Sequence, residues 1–107
     1  MMKKFEIILT QDAIDDLNDI RDYYLVHFSQ KTAINLISKI ESRLNQLSTF
    51  PKSGSKPKNE WMAVRGYRLA ITGDFASIYR IIDDRVYVFS IINMKRNYPK
   101  LLNLNGH

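Results

Sequence analysis

The stretch from Gly66 to Tyr98, GYRLAITGDFASIYRIIDDRVYVFSIINMKRNY, constrains this chain more than any other. It reads as three strands at residues 67–71, 75–82 and 85–92. All three are rich in the β-branched and aromatic types that suit a pleated, half-buried surface. Thr72-Gly73-Asp74 separates the first two, and Asp83-Asp84 separates the second pair at two-residue hairpin length. A meander of this kind needs something apolar laid on it. The residues before Gly66 must supply that layer.

They do so as helices. Residues 5–9 form a short apolar strand, and Thr10-Gln11-Asp12 then offers side-chain oxygens to cap a helix. Asp12, Asp15 and Asp16 put negative charge near its N-terminus, where the macrodipole favours it. Ala13, Leu17, Ile20 and Tyr24 share one helical face at 4-3-4 spacing. The helix ends near His27-Phe28, and Ser29 caps a second one in which Ala33, Ile37, Ile40, Leu44 and Leu47 form an apolar stripe. Phe50-Pro51 stops it, because proline lacks the next backbone donor. Two helices so closely joined, over about residues 12–27 and 30–49, make an antiparallel hairpin. The prediction is an α+β fold, β-α-α-β-β-β, with the hairpin packed on a mainly antiparallel sheet. Ile37, Ile40, Leu44 and Leu47 are expected at that contact with Leu17, Ile20, Tyr79 and Val88.

A chain of 107 residues makes one domain, and the residues after Tyr98 add a short C-terminal tail at 99–107. Residues 51–60, PKSGSKPKNE, read as a polar loop without regular structure, carrying Lys52, Lys56 and Lys58. Trp61-Met62-Ala63-Val64 resumes apolar character before the meander. The chain has no cysteine, so disulfides and thiolate metal sites are excluded and no cofactor is implied. The apolar run after Lys3-Lys4 is too short for a signal peptide and contains Glu6, so a cytoplasmic protein without a membrane partner is expected.

Two features point towards partners. Residues 51–107 hold ten basic and four acidic residues, whereas residues 1–50 are nearly balanced with six and seven. That asymmetry favours an anionic partner, nucleic acid or acidic protein, with a plain solvated surface the competing reading. In addition, both faces of the later strands are apolar: Phe75, Tyr79 and Ile81 oppose Ala76, Ile78 and Ile82. In the last strand Val86, Val88 and Ile92 oppose Tyr87, Phe89 and Ile91. The helical hairpin covers one face. For the other, the tail, a partner, an exposed patch and self-burial by a curled sheet all stay open.

The order strand–helix–helix–three strands resembles the RelE/ParE superfamily of toxins from bacterial type II toxin–antitoxin pairs. The resemblance runs through Ala13-Ile14-Asp15-Asp16-Leu17-Asn18-Asp19-Ile20 with Tyr23-Tyr24, and through Phe50-Pro51 with Gly54. It continues in Val64-Arg65-Gly66-Tyr67-Arg68, Ile78-Tyr79-Arg80-Ile81 and Lys95-Arg96-Asn97-Tyr98. It implies a toxin held in a hetero-oligomer by a cognate antitoxin whose C-terminal segment wraps around it. RelE-like members cleave messenger RNA on the ribosome, and ParE-like members inhibit DNA gyrase.

RNA cleavage requires a base for the ribose 2′-hydroxyl, an acid for the leaving 5′-oxygen and cations for the phosphorane. The residues available are Lys95, Arg96 and Tyr98, with Arg68. Arg65, Lys52, Lys56 and Lys58 are available to bind a target or nucleic acid. His27 reads as a surface or packing residue, and Asn93 stands near where some relatives carry a histidine. In ribonuclease members an arginine in the central strand holds the scissile phosphate, and the matching position here is Ala76. The resemblance therefore leans to the ParE-like branch, a non-enzymatic inhibitor. A metal-independent endoribonuclease and a non-toxic basic binding module remain the alternatives.

Overall fold

In the computed structural model, which describes residues 4–96, the chain runs β1 (Glu6–Leu9), α1 (Gln11–His27), α2 (Gln30–Gln46), α3 (Glu60–Val64), β2 (Tyr67–Thr72), β3 (Phe75–Ile82) and β4 (Arg85–Asn93). The tail at 99–107 and Tyr98 lie outside the described residues. The caps are those that the sequence offers. Thr10 Oγ1 accepts from the Ala13 N–H at 3.3 Å, and Ser29 Oγ accepts from the Thr32 N–H at 3.1 Å. Each such cap stabilises its helix by about 1 kcal/mol. Thr10 also donates its hydroxyl hydrogen to the Phe89 carbonyl at 3.1 Å, which ties the start of α1 to β4.

The sheet order is β1-β4-β3-β2. The meander pairs antiparallel, and β1 lies parallel to β4 in the register Ile7 with Val86. The hairpin α1–α2 covers one face. Ile40, Leu44 and Leu47 are buried there against Ala70, Phe75, Tyr79, Val86, Val88 and Ile91, with Leu17 and Ile20 packed alongside. Ile37 is half-buried, and Leu36 packs on the core in its place. With 3.6 residues per turn, the stripe passes between positions 36 and 37.

β4 corrects the expected alternation. The pairing of β3 with β4 shifts between Ile78 and Tyr79, so that Val88 and Phe89 together oppose one position. This β-bulge turns Ile91 towards the helices with Val86 and Val88 and sends Ile92 to the other face, the reverse of the simple two-residue period. Asp16 holds the bulge. Its Oδ2 accepts from Ser90 Oγ at 2.8 Å and from the Ile91 N–H at 3.0 Å. The sequence assigned this carboxylate to the helix dipole, but in the fold it satisfies donors of the distorted ladder.

The polar stretch before the meander is also more ordered than expected. Ser55 forms an isolated bridge with Leu69 on the outer edge of β2. The fully buried Tyr79 reaches this loop, donating to the Pro51 carbonyl at 2.7 Å and accepting from the Gly54 N–H at 3.0 Å. A Cβ on Gly54 would collide with that hydroxyl and stand 2.7 Å from the Leu69 carbonyl, so only glycine fits. Asn59 then caps the short helix α3, accepting from the Met62 N–H at 3.1 Å. Met62, Tyr67 and Leu69 cover the second apolar cluster, Ala76, Ile78 and Ile92, on the face away from the hairpin. Among the described residues no helix is long and apolar enough to cross a membrane.

Candidate functional site

The end of β4 builds a cationic turn. The Met94 N–H donates to the Asp74 carbonyl at 2.7 Å, and Asn93 Oδ1 accepts from the Lys95 N–H at 3.0 Å. Asn93 thus shapes the turn that presents Lys95 and Arg96. Lys95 Nζ stands 3.6 Å from the Asp74 carboxylate, both well exposed, a pair that adds little to stability. The Arg96 guanidinium lies over the Tyr23 ring, 4.7 Å from its centroid. His27 lies against the same ring, 4.3 Å between centroids.

Beside this turn a cleft of about 490 Å³ opens between α1 and the strands. Ile20, Tyr23 and Tyr24 form one wall, Phe75, Ile91 and Ile92 the other, and Asp16, Asp19, Asn93 and Arg96 bring polar groups. The bulge makes the strand wall, because it sets Ile91 and Ile92 on adjacent sides of the β4 exit. An apolar floor with a cation at the rim suits an amphipathic segment carrying acidic residues.

The other predicted residues are elsewhere. Arg68 donates to the carbonyls of Lys52 at 3.2 Å and Gly54 at 2.9 Å, fastening the lysine loop to β2. Its register partner is Tyr79, four residues along β3 from Phe75, which pairs with Asn93. At strand rise that is roughly 13 Å from the cationic turn. Arg68 is therefore grouped with Lys52, not with Lys95 and Arg96. Lys56 and Lys58 are exposed on the segment leading to α3. Arg65 caps Trp61, its guanidinium 3.9 Å over the ring and Nη1 donating to the Trp61 carbonyl at 3.0 Å. Tyr98 lies outside the described residues. The described residues hold no cluster of three or more His, Cys, Asp or Glu fit for a metal.

Tyr23, Trp61 and Arg80 join these surfaces, although the sequence reading places none of them in a site. Tyr23 sits off the buried stripe of α1, and that offset is the signal that could have marked it. Trp61 and Arg80 converge only through folding.

A hairpin of helices on a meander with a parallel first strand defines the RelE/ParE-type toxin fold. A chain from the chromosomal ParDE TA system of P. aeruginosa superposes with a TM-score of 0.73 at 20% identity, covering 86% of this chain and 98% of that one. The toxin–antitoxin complex RelBE2 from Mycobacterium tuberculosis contains a chain that superposes with a TM-score of 0.64, also at 20% identity, covering 87% and 94%. No curated protein sequence matches this chain. Residues 7–98 match the family described as ParE toxin of type II toxin-antitoxin system, parDE. The chain belongs to that family.

Proposed function

We propose that this toxin arrests growth by binding an essential protein target in the cytoplasm, with DNA gyrase the target its family suggests, and that a cognate antitoxin neutralises it. The observation that carries this reading is the central strand. Ala76 is fully buried between Ile78 and Ile92 on the face away from the helices, and this apolar patch offers a phosphate neither cation nor proton donor. Where a ribonuclease of the superfamily needs an arginine, this chain has a methyl group. Lost stabilisation of that kind costs a few kcal/mol of transition-state binding, on the order of 10²–10³ in rate.

The antitoxin is assigned to the α1–β4 cleft. Both solved relatives come from toxin–antitoxin systems, and the cleft combines apolar walls with the Arg96 rim. The ribonuclease alternative draws on the same rim, where Arg96 and His27 both lie against the Tyr23 ring. Two assays on one preparation separate the readings. The purified toxin is expected to inhibit gyrase supercoiling and to leave messenger RNA intact on translating ribosomes. Message cleavage that disappears in Arg96→Ala would establish the enzyme instead. Unimpaired growth on induced expression would leave only a basic binding module.

A further inference from the structure

The face of the sheet away from the helices carries a second surface. Trp61 and Tyr67 are stacked, their rings 6.3 Å apart at 17°. Tyr67 meets Phe89 edge-on at 5.7 Å, and Phe89 stacks with Tyr87 at 6.4 Å. Two guanidinium groups are interleaved with these rings, Arg65 over Trp61 at 3.9 Å and Arg80 over Tyr67 at 5.2 Å. Tyr67, Arg80 and Tyr87 are register partners across β2, β3 and β4, so they form one row of the sheet. Trp61 remains 58% exposed and Arg65 is exposed.

We infer that this row binds single-stranded nucleic acid, with bases against the rings and phosphates on the arginines. Alternating rings and guanidiniums match a polymer that alternates flat bases with anions, whereas an acidic peptide would use the cations and leave four aromatic rings idle. A guanidinium lying on a ring keeps its N–H edge for bidentate contact with a phosphate. A duplex hides the base faces that such rings require, so the ligand is single-stranded. Charge sets the path. Asp83 and Asp84 form the β3–β4 turn, and Glu6 beside that turn is engaged by Arg85 at 3.2 Å, so the acidic groups lie at the opposite side of the row from Trp61 and Arg65. The strand therefore crosses from Arg80 over Tyr67 and Trp61 to Arg65, towards the exposed Lys56 and Lys58. This surface is separate from the α1–β4 cleft and does not depend on the choice of toxic target.

The chain has one tryptophan, Trp61, so its fluorescence reads the row directly. The full-length protein is titrated with oligothymidylate and with oligouridylate of about twelve nucleotides, a length within the range of single-strand binding sites. Both are expected to quench saturably with similar affinity, because no described group of the row selects the sugar. Arg65→Gln and Arg80→Gln should each weaken binding about fivefold or more and lower the salt slope by about 0.7, the loss of one phosphate contact. Arg65 is exposed, so its variant keeps the fold, and the unfolding midpoint checks both. The inference is overturned if neither oligonucleotide quenches, if only one does, or if both folded variants bind like the parent. Equal quenching by polyglutamate at matched charge would also overturn it, making the row a site for acidic protein.

Discussion

Tyr79 shows how much one side chain can determine. It is fully buried, yet its hydroxyl joins the loop of residues 51–55 to the centre of the sheet through Pro51 and Gly54. Tyr79→Phe would leave the Gly54 N–H without its acceptor, and a loss of about 1–3 kcal/mol is expected in chemical denaturation. Burial, the largest influence, pushes the Tyr79 phenol above its usual value near 10, against opposing contributions from Gly54, Arg68 and Arg43. A raised folded pKa means that the unfolded chain ionises first. The stability contributed by this proton is present in full below about pH 10 and is lost as pH rises through the folded value. Unfolding free energy should therefore fall more steeply above pH 10 in the parent than in Tyr79→Phe. Gly54→Ala meets both the Tyr79 hydroxyl and the Leu69 backbone and should cost about 1–3 kcal/mol by the same measurement. Gly54 was visible in the sequence as part of the family resemblance. The reason for it was not, since the contact spans 25 residues.

Among the elements, legibility followed periodicity. The stripe on α2, the hairpin turns and the strand sequence of the meander could be read because each obeys a local period or turn chemistry. The helix α3 could not, since five residues show no period and Asn59 caps it inside a stretch punctuated by prolines. The bulge in β4 escaped for a different reason. Val86 to Ile92 is apolar except for Ser90, a single hydroxyl that does not by itself reveal a slip in the alternation, and the partner that holds the bulge lies 75 residues away in α1. Asp16→Ala tests that partnership. Removing the acceptor for Ser90 and Ile91 should cost about 1.5–3 kcal/mol, the range for hydrogen bonds to a charged group. Amide hydrogen exchange gives the local reading, with Ile91 expected to lose protection by a larger factor than Tyr79 or Val88. Uniform loss across β4 would mean that Asp16 supports the sheet generally and not the bulge.

Across the whole molecule, the basic half is divided among separate places, Arg68 with the lysine loop being one. Arg96 borders the α1–β4 cleft with Lys95 next to it in the turn, and Arg65 and Arg80 lie among rings on the open face of the sheet. The sequence located the charge but could not divide it, because Arg68, Arg80 and Arg96 are assigned to different places only by strand register. The central claim is that an antitoxin segment occupies the cleft, drawn in by its cationic rim and retained by its apolar walls. Association and dissociation rates of the toxin with its purified antitoxin, measured across salt concentrations, test this most directly. Salt should slow association more than it hastens dissociation. Lys95→Glu and Arg96→Glu should reduce the association rate, whereas Tyr23→Ser, which removes a wall of the cleft, should act mainly by hastening dissociation. Association indifferent to salt and to both charge reversals, with Tyr23→Ser bound as tightly as the parent, would contradict the assignment.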